Sequence, residues 1–234
     1  LTIDSQGYLH AVYGIHHNDV PYCRSLRPND ASEWTDRSTF GGRLSYPTLV
    51  CGPDDTLFLT GRDGWSGVRL FVKPPGQPWE DRGLIIKVND DCISYAAFHE
   101  GLAWGPDHKT LHLSCSFFQS TSNVSQDWGS IQSVNYMRSR DFGRTWERAD
   151  GTRIEVPATA ETMDVLLAGE SMDPKPGIRN TGAIVVDSQG RPYVLYYRNT
   201  PEKPGQGFLA KADSAGNWQQ LPLQAALDKH FPGE

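Results

Sequence analysis

A chain of 234 residues with a formal net charge of −6, 23 glycines and 16 prolines has the size of one domain and is rich in turns. The acidic balance excludes a general nucleic-acid surface, because neutralising phosphates needs clustered Lys and Arg. No apolar run approaches the roughly 18 residues of a membrane span. Cys23, Cys51, Cys92 and Cys115 are scattered without a C-x-x-C, which excludes a zinc ribbon or a dense disulfide framework.

In chain order the predicted elements repeat: an apolar strand, an Asp-containing turn, a second apolar strand, and later a Trp. The first unit runs from Leu1 through the turn Asp4-Ser-Gln-Gly7 to Tyr13, continues into His16-His17-Asn18 and closes at Trp34. The second carries Ser45-Tyr46-Pro47, then Thr48 through Asp54 to Thr60, then Arg62-Asp63-Gly64-Trp65, and closes at Trp79. The third has Ser94-Tyr95 and His99 ahead of Leu102 to Ser114, with its turn at Asp107 and Phe117-Phe118-Gln119 behind. It closes on Ser139-Arg-Asp141-Phe-Gly143-Arg-Thr145-Trp146, a complete match to the Asp-box pattern S-x-D-x-G-x-T-W. The fourth has Arg179-Asn180-Thr181, then Ala183 to Tyr196 around Asp187-Ser-Gln-Gly190, then Tyr197-Arg198-Asn199, and closes at Trp218.

The turn aspartates step by 50, 53 and 80 residues, so the third unit holds an insertion. Repeats of about 40–50 residues with four short strands predict an all-β fold, a β-propeller of four-stranded antiparallel blades. We expect four blades, at approximately 1–40, 41–90, 91–157 and 175–234, within a single propeller domain. The abrupt start in a strand and the end at Pro232-Gly-Glu234 lead us to expect part of a larger ring.

An Asp-box is a hairpin device. Its Asp and Ser bond to the turn's own backbone, Gly supplies a positive φ, and the Trp covers the turn. Asp141 is therefore expected to be structural. His112, in mid-strand, reads as a core histidine, and Cys51 and Cys115 read as small apolar strand residues.

Strands that run up and down put all the Asp turns on one face of a blade. The other face receives the ends of each second strand and the starts of each first strand, and ligands of propellers bind there. On that face the sequence places His16, His17, Tyr46, Arg62, Tyr95, His99, Arg179, Asn180, Tyr197 and Arg198. Aromatic faces stack on sugar C–H surfaces while Arg and His address carboxylates or sulfates, so the mixture suits a carbohydrate.

At these residues the chain resembles the Asp-box (BNR-repeat) propellers, which include polysaccharide lyases of the ulvan-lyase type and proteins described as sialidases or neuraminidases. The resemblance spans essentially the whole chain. It rests on Gly7-Tyr-Leu-His-Ala-Val-Tyr13 running into His16-His17-Asn18, on Pro21-Tyr22 with Arg24-Ser25, and on Tyr46-Pro47. It continues through the strand ending Arg62-Asp63-Gly64, Leu111-His-Leu-Ser114 before the Asp-box, and Asn180-Thr-Gly through Gly190. In such lyases a Tyr and an Arg sixteen positions apart share the site with a His from the preceding blade; Tyr46 and Arg62 have that spacing, and His16 or His17 occupies that loop.

The resemblance implies β-elimination on a uronate-containing, optionally sulfated polysaccharide. Arg62 would neutralise the carboxylate beside the C5 proton, while Tyr46 and one of the two histidines share proton abstraction and donation. Tyr95, His99, Arg179, Asn180, Tyr197 and Arg198 would contact substrate. A sialidase-like hydrolase stays open: Arg62, Arg138, Arg179 and Arg198 can furnish an arginine clasp, and Tyr197 a nucleophile with Glu100, Glu161 or Glu170. So does a non-catalytic glycan-binding propeller. No Arg-Ile-Pro motif and only one full Asp-box weigh against the sialidase. No cofactor is required on these readings; a structural calcium at Asp54-Asp55 or Asp90-Asp91 is left open. The partner is an acidic polysaccharide or sialylated glycan, and the location expected is secreted, periplasmic or cell-surface.

Overall fold

A computed structural model of the chain describes residues 1–90, 92, 96–120, 130–168, 178–198, 206–223 and 229. The chain divides into two compact units, Leu1–Lys87 and Val88–Glu234.

In the first unit β1 (Thr2–Ile3), β2 (Leu9–Val12), β3 (His16–Arg27), β4 (Asp30–Trp34), β5 (Ser38–Cys51), β6 (Leu57–Asp63), β7 (Gly67–Lys73) and β8 (Glu80–Lys87) form one antiparallel sheet. Its order is β1-β2-β3-β5-β6-β7-β8, with β4 branching from β3. The first two repeats thus share a sheet where separate meanders are expected. The cause is long-range pairing. The first half of β3 bonds to the first half of β5, and each strand then changes partner, β3 to β4 and β5 to β6. Val20, Tyr22, Leu44, Leu49, Leu57, Leu59 and Phe71 make the core, with Phe40 stacked on Trp79 at 4.2 Å beside it.

The second unit holds two sheets. β9 (Ala96–Trp104), β10 (Leu111–Gln119), β11 (Ser130–Ser139), β12 (Trp146–Glu147) and β13 (Arg153–Ile154) pair in the order β13-β12-β11-β10-β9, and β14 (Asp164–Ala168) pairs with β11. The expected insertion of the third repeat supplies β13 and β14. β15 (Ile178–Val186), β16 (Pro192–Arg198), β17 (Gln206–Ala212) and β18 (Trp218–Pro222) form a four-stranded meander. Val134, Tyr136, Leu166, Ile184, Val194, Tyr196 and Ala210 form the core shared by the two sheets.

One device closes the hairpins. Asp4 Oδ1 accepts the N–H of Gln6 and Tyr8, Asp187 Oδ1 those of Gln189 and Arg191, and Asp213 Oδ1 those of Ala215 and Asn217. Gly7, Gly190 and Gly216 supply the left-handed residue at φ 87°, 79° and 85°. In the Asp-box, Asp141 accepts from Thr145 N–H at 2.8 Å and Thr145 Oγ1 at 2.7 Å, while Ser139 Oγ accepts from Gly143 N–H at 2.8 Å. Trp146, which ends the motif, is buried. Burial would raise the Asp141 carboxyl, but the Thr145 and Ser139 donors outweigh it and hold the group below its ordinary value. Replacing Asp141 with Ala should cost about 1–3 kcal/mol by stranding those donors. Denaturant unfolding measures the loss; unchanged stability would contradict the structural role.

Two histidines repeat a second motif. His10 Nδ1 meets the Tyr22 hydroxyl at 2.8 Å and His112 Nδ1 meets the Tyr136 hydroxyl at 2.7 Å. Burial, helped by the charges of Arg138 and Arg140, pushes His112 down to about 4, and burial also lowers His10. Because the folded value lies below the unfolded one, the unfolded chain takes the proton first as pH falls. Stability should therefore be full above about pH 6.5 and fall by on the order of 3 kcal/mol toward pH 4 on account of His112. Urea unfolding at stepped pH reads this slope, which should flatten in His112→Gln.

Candidate functional site

At the ends of β3, β5 and β6 remote from the Asp turns, one row of residues crosses three strands: His16 opposes Ser45, and Ser45 opposes Arg62. The register slips on both sides of this row. His16 and Asn18 face the adjacent residues Ser45 and Leu44, so His17 is extra; Ser45 and Thr48 face Arg62 and Thr60, so one residue at Tyr46-Pro47 is extra. Such bulges re-aim side chains. Pro47, lacking an N–H, is tolerated where ladder bonding is already interrupted. His17, Arg43 and Tyr46 all sit at left-handed φ (56°, 57° and 54°), each costing on the order of 1–2 kcal/mol in an L-residue. Strain of this kind concentrates at working sites. Ser45, fully buried, pins the arrangement by accepting the His17 N–H at 3.0 Å.

These bulges gather the four residues the sequence assigns to catalysis. The Arg62 guanidinium is 1 % exposed. Its Nη2 lies 3.0 Å from His17 Nε2, and its Cζ sits over the Tyr46 ring at 4.8 Å from the centroid. His16 meets Tyr46 edge-on at 5.8 Å and His17 at 4.8 Å. Arg62 can only donate, so His17 Nε2 accepts and the imidazole is neutral in this contact. Desolvation first, then the charge of Arg62, lowers the His17 proton affinity, with His16 and Arg43 adding to it. Asp63, the neighbour that a self-paired turn would give to Arg62, instead binds Arg69 at 2.7 Å. His16 and His17 begin β3 rather than lying in a loop, and Tyr46 lies inside β5 rather than at its start, because the β3–β5 pairing extends both strands.

Three residues without an assigned role complete the cluster: Ser45, Arg43 and Trp65. Trp65 is 54 % exposed and meets His17 edge-on at 6.3 Å. Its hairpin is clamped to β5 by Gly64 N–H donating to the Arg43 carbonyl at 3.1 Å. Gly67 closes that hairpin where a Cβ would stand 1.9 Å from the Ile86 carbonyl oxygen. The glycines flanking Trp65 were the signal available in the sequence.

In the second unit His99 is exposed on β9 opposite Ser116. Tyr197, 40 % exposed on β16, pairs with Asn180 of β15, and Arg198 pairs with Ile178. Tyr95 lies outside the described residues, as do the side chains of Arg179, Asn180 and Arg198. Arg138, a candidate for an arginine clasp, sits beside the Asp-box with its Nε on Glu147 at 2.7 Å. Among the described residues no three His, Cys, Asp or Glu side chains gather as a metal set. Asp54 receives Thr56 N–H and O–H, and Asp55 receives Ser5. Asp91 is not among the described residues.

Residues 1–226 match the family described as BNR repeat-containing family member, and the chain belongs to that family. An ulvan lyase of polysaccharide lyase family PL25, bound to GlcA(1-4)Rha3S, superposes with a TM-score of 0.74 at 17 % identity, over 93 % of this chain and 56 % of that one. This chain therefore spans just over half the length of the lyase. A Hadza microbial sialidase matches with TM-score 0.50 at 11 % identity, over 89 % of this chain and 46 % of that one. Cellvibrio cellulosa α-L-arabinanase gives 0.50 at 12 %, over 97 % and 76 %. Among the curated proteins none matches significantly. The fold is a β-propeller of antiparallel blades. No helix among the described residues is long and apolar enough to cross a membrane.

Removing the charge of Arg62 should raise the His17 proton affinity, since that charge is one cause of its depression. NMR titration of the histidines should find His17 below 6.5 and shifted upward in Arg62→Met. An identical midpoint in both proteins would contradict the contact.

Proposed function

We propose that this chain belongs to an enzyme that cleaves a uronate-containing polysaccharide by β-elimination, with the cluster on β3, β5 and β6 as its centre. The observation that carries the reading is the contact of one desolvated guanidinium with both a neutral imidazole and a phenol ring. A uronate C5 proton becomes removable only as the neighbouring carboxylate's growing charge is stabilised, which a buried, permanently charged Arg does well.

The substrate carboxylate takes over the Nη2 donor that His17 Nε2 now accepts. That exchange frees the Nε2 lone pair. His17 then takes the C5 proton, the electron pair forms the C4=C5 double bond, and the C4–O bond breaks. Tyr46, 41 % exposed beside the guanidinium, gives its phenol proton to the departing oxygen. Trp65 offers an aromatic face to a neighbouring sugar. His16, against the outer edge of Tyr46, orients the ring. A polymeric acidic substrate fits a secreted, periplasmic or cell-surface protein.

Full-length protein given a panel of uronic polysaccharides should generate ultraviolet absorbance from the conjugated unsaturated product. Arg62→Ala should lower kcat by about three orders of magnitude or more. Tyr46→Phe should lose turnover with little change in binding, because only the proton-transferring hydroxyl goes. The acid limb of kcat/KM should fall below pH 6.5, following the depressed His17. Reducing sugar released without unsaturated product would favour a hydrolase. Binding with neither product would favour the glycan-binding reading.

A further inference from the structure

The turn end of the Val88–Glu234 unit carries a second chemical constellation. A cavity of about 480 Å³ there is lined by Gly105, Asp107, His112, Arg138, Arg140 and Gln189, among others. His112 and Arg138 are directly opposed on β10 and β11, and Arg138 opposes Glu147 on β12, so the three form one row. Both Arg138 Nε and Arg140 Nε bind the same Glu147 oxygen, at 2.7 and 2.8 Å. The two guanidiniums share one carboxylate, and Asp107 is the further acidic group of the lining.

His112 is 1 % exposed yet lines this cavity. The buried Tyr136 hydroxyl needs an acceptor for its proton; Arg138 beside it can only donate, which leaves His112 Nδ1. The phenol therefore donates to Nδ1, and the neutral ring carries its proton on Nε2. Among the described residues that Nε2 has no hydrogen-bond partner. It lies over Gly105, where an added Cβ would stand 3.2 Å away, so glycine keeps the approach clear. The equivalent His10 differs: its Nε2 reaches Asp4 at 3.1 Å. In the third repeat the matching Asp107 oxygen is taken by Thr110 Oγ1 at 2.6 Å, and Asp107 Oδ1 by the N–H of Lys109 and Thr110. The His112 nitrogen is not sealed in the core but opens on the cavity, where water or a solute can accept from it.

His112 and the two guanidiniums line this space as donors, while the Asp107 carboxylate among them is occupied by Thr110 and Lys109. We infer that this cavity is a second, non-catalytic binding site, in which His112 Nε2–H and the outer guanidinium nitrogens of Arg138 and Arg140 hold the oxyanion of an acidic sugar. The ligand chemistry is a carboxylate or a sulfate ester, both of which offer paired oxygens to an Arg fork. A second cavity of about 560 Å³ shares Arg138, Arg140 and Gln189 and adds Arg191 and Lys211, giving an attached saccharide chain a cationic path.

The test is a side-chain nitrogen NMR titration of the full chain, with sodium glucuronate in one arm and inorganic sulfate in the other, against sodium chloride at equal ionic strength. A saturable His112 shift in either arm supports the site, and the responding arm identifies the group. Arg140, exposed at its tip, is the variant least able to disturb folding; Arg140→Ala should weaken the shift-derived affinity about tenfold or more. Arg62→Ala, which disables the proposed catalytic centre, should leave it unchanged. No shift beyond the chloride control, or equal affinity in Arg140→Ala, would overturn the inference.

Discussion

Each Asp turn among the described residues is closed by a carboxylate that accepts one or two backbone donors of its own turn. Asp4, Asp187 and Asp213 take the N–H groups two and four residues on, Asp107 those two and three residues on, and Asp141 substitutes a serine-assisted version. Satisfying those N–H groups locally removes the main cost of a sharp reversal, because a stranded backbone donor is worth as much as a lost hydrogen bond. Bonds between turns, such as Ser5 on Asp55 and Asn29 N–H on the Gly7 carbonyl, add to this local closure. The far ends of the strands are thereby released from holding the fold, and those ends carry the unusual backbone.

That division of labour shows most plainly in β5. Near the Asp54 turn it runs in regular register with β6; near Ser45 it trades one partner for another and accumulates bulges. Three non-glycine residues at left-handed φ within a few ångströms of one buried Ser are a local destabilisation of several kcal/mol, held by a core of Val20, Leu44, Leu57 and Leu59 below. The strain places the His17, Tyr46 and Arg62 side chains in mutual contact, which unbulged strands would not do, since alternation would send neighbours to opposite faces.

The turn face was legible in the sequence because its physics is local. A carboxylate, a glycine and a following apolar strand lie within a few residues, so Asp-Ser-Gln-Gly and the Asp-box declare themselves. Tyr46 and Arg62 were legible at the level of spacing, since a tight hairpin brings positions equidistant from its turn together. The fusion of the first two repeats into one sheet was not legible, because pairing His16–Tyr22 with Ser38–Ser45 depends on a partner chosen at long range. Nor was the backbone of His17 and Tyr46, whose residue types give no hint of positive φ. His112 read correctly as a buried histidine, but the difference between its Nε2, which faces a cavity, and that of His10, which reaches Asp4, appears only in three dimensions.

The Arg62–His17 contact also explains how one cation serves two steps on the proposed reading. While the site is empty, the guanidinium charge opposes protonation of His17, so the imidazole stays in its base form. A carboxylate arriving on Arg62 cancels that charge at close range and in a poorly screened setting. The same event therefore raises the proton affinity of His17 and stabilises the charge that loss of the C5 proton creates. A lysine could supply the cation but not the fork that holds a carboxylate and an imidazole in turn on adjacent nitrogens. Burial of the guanidinium, a cost to folding, is what makes this coupling strong, because at the surface solvent would screen both effects.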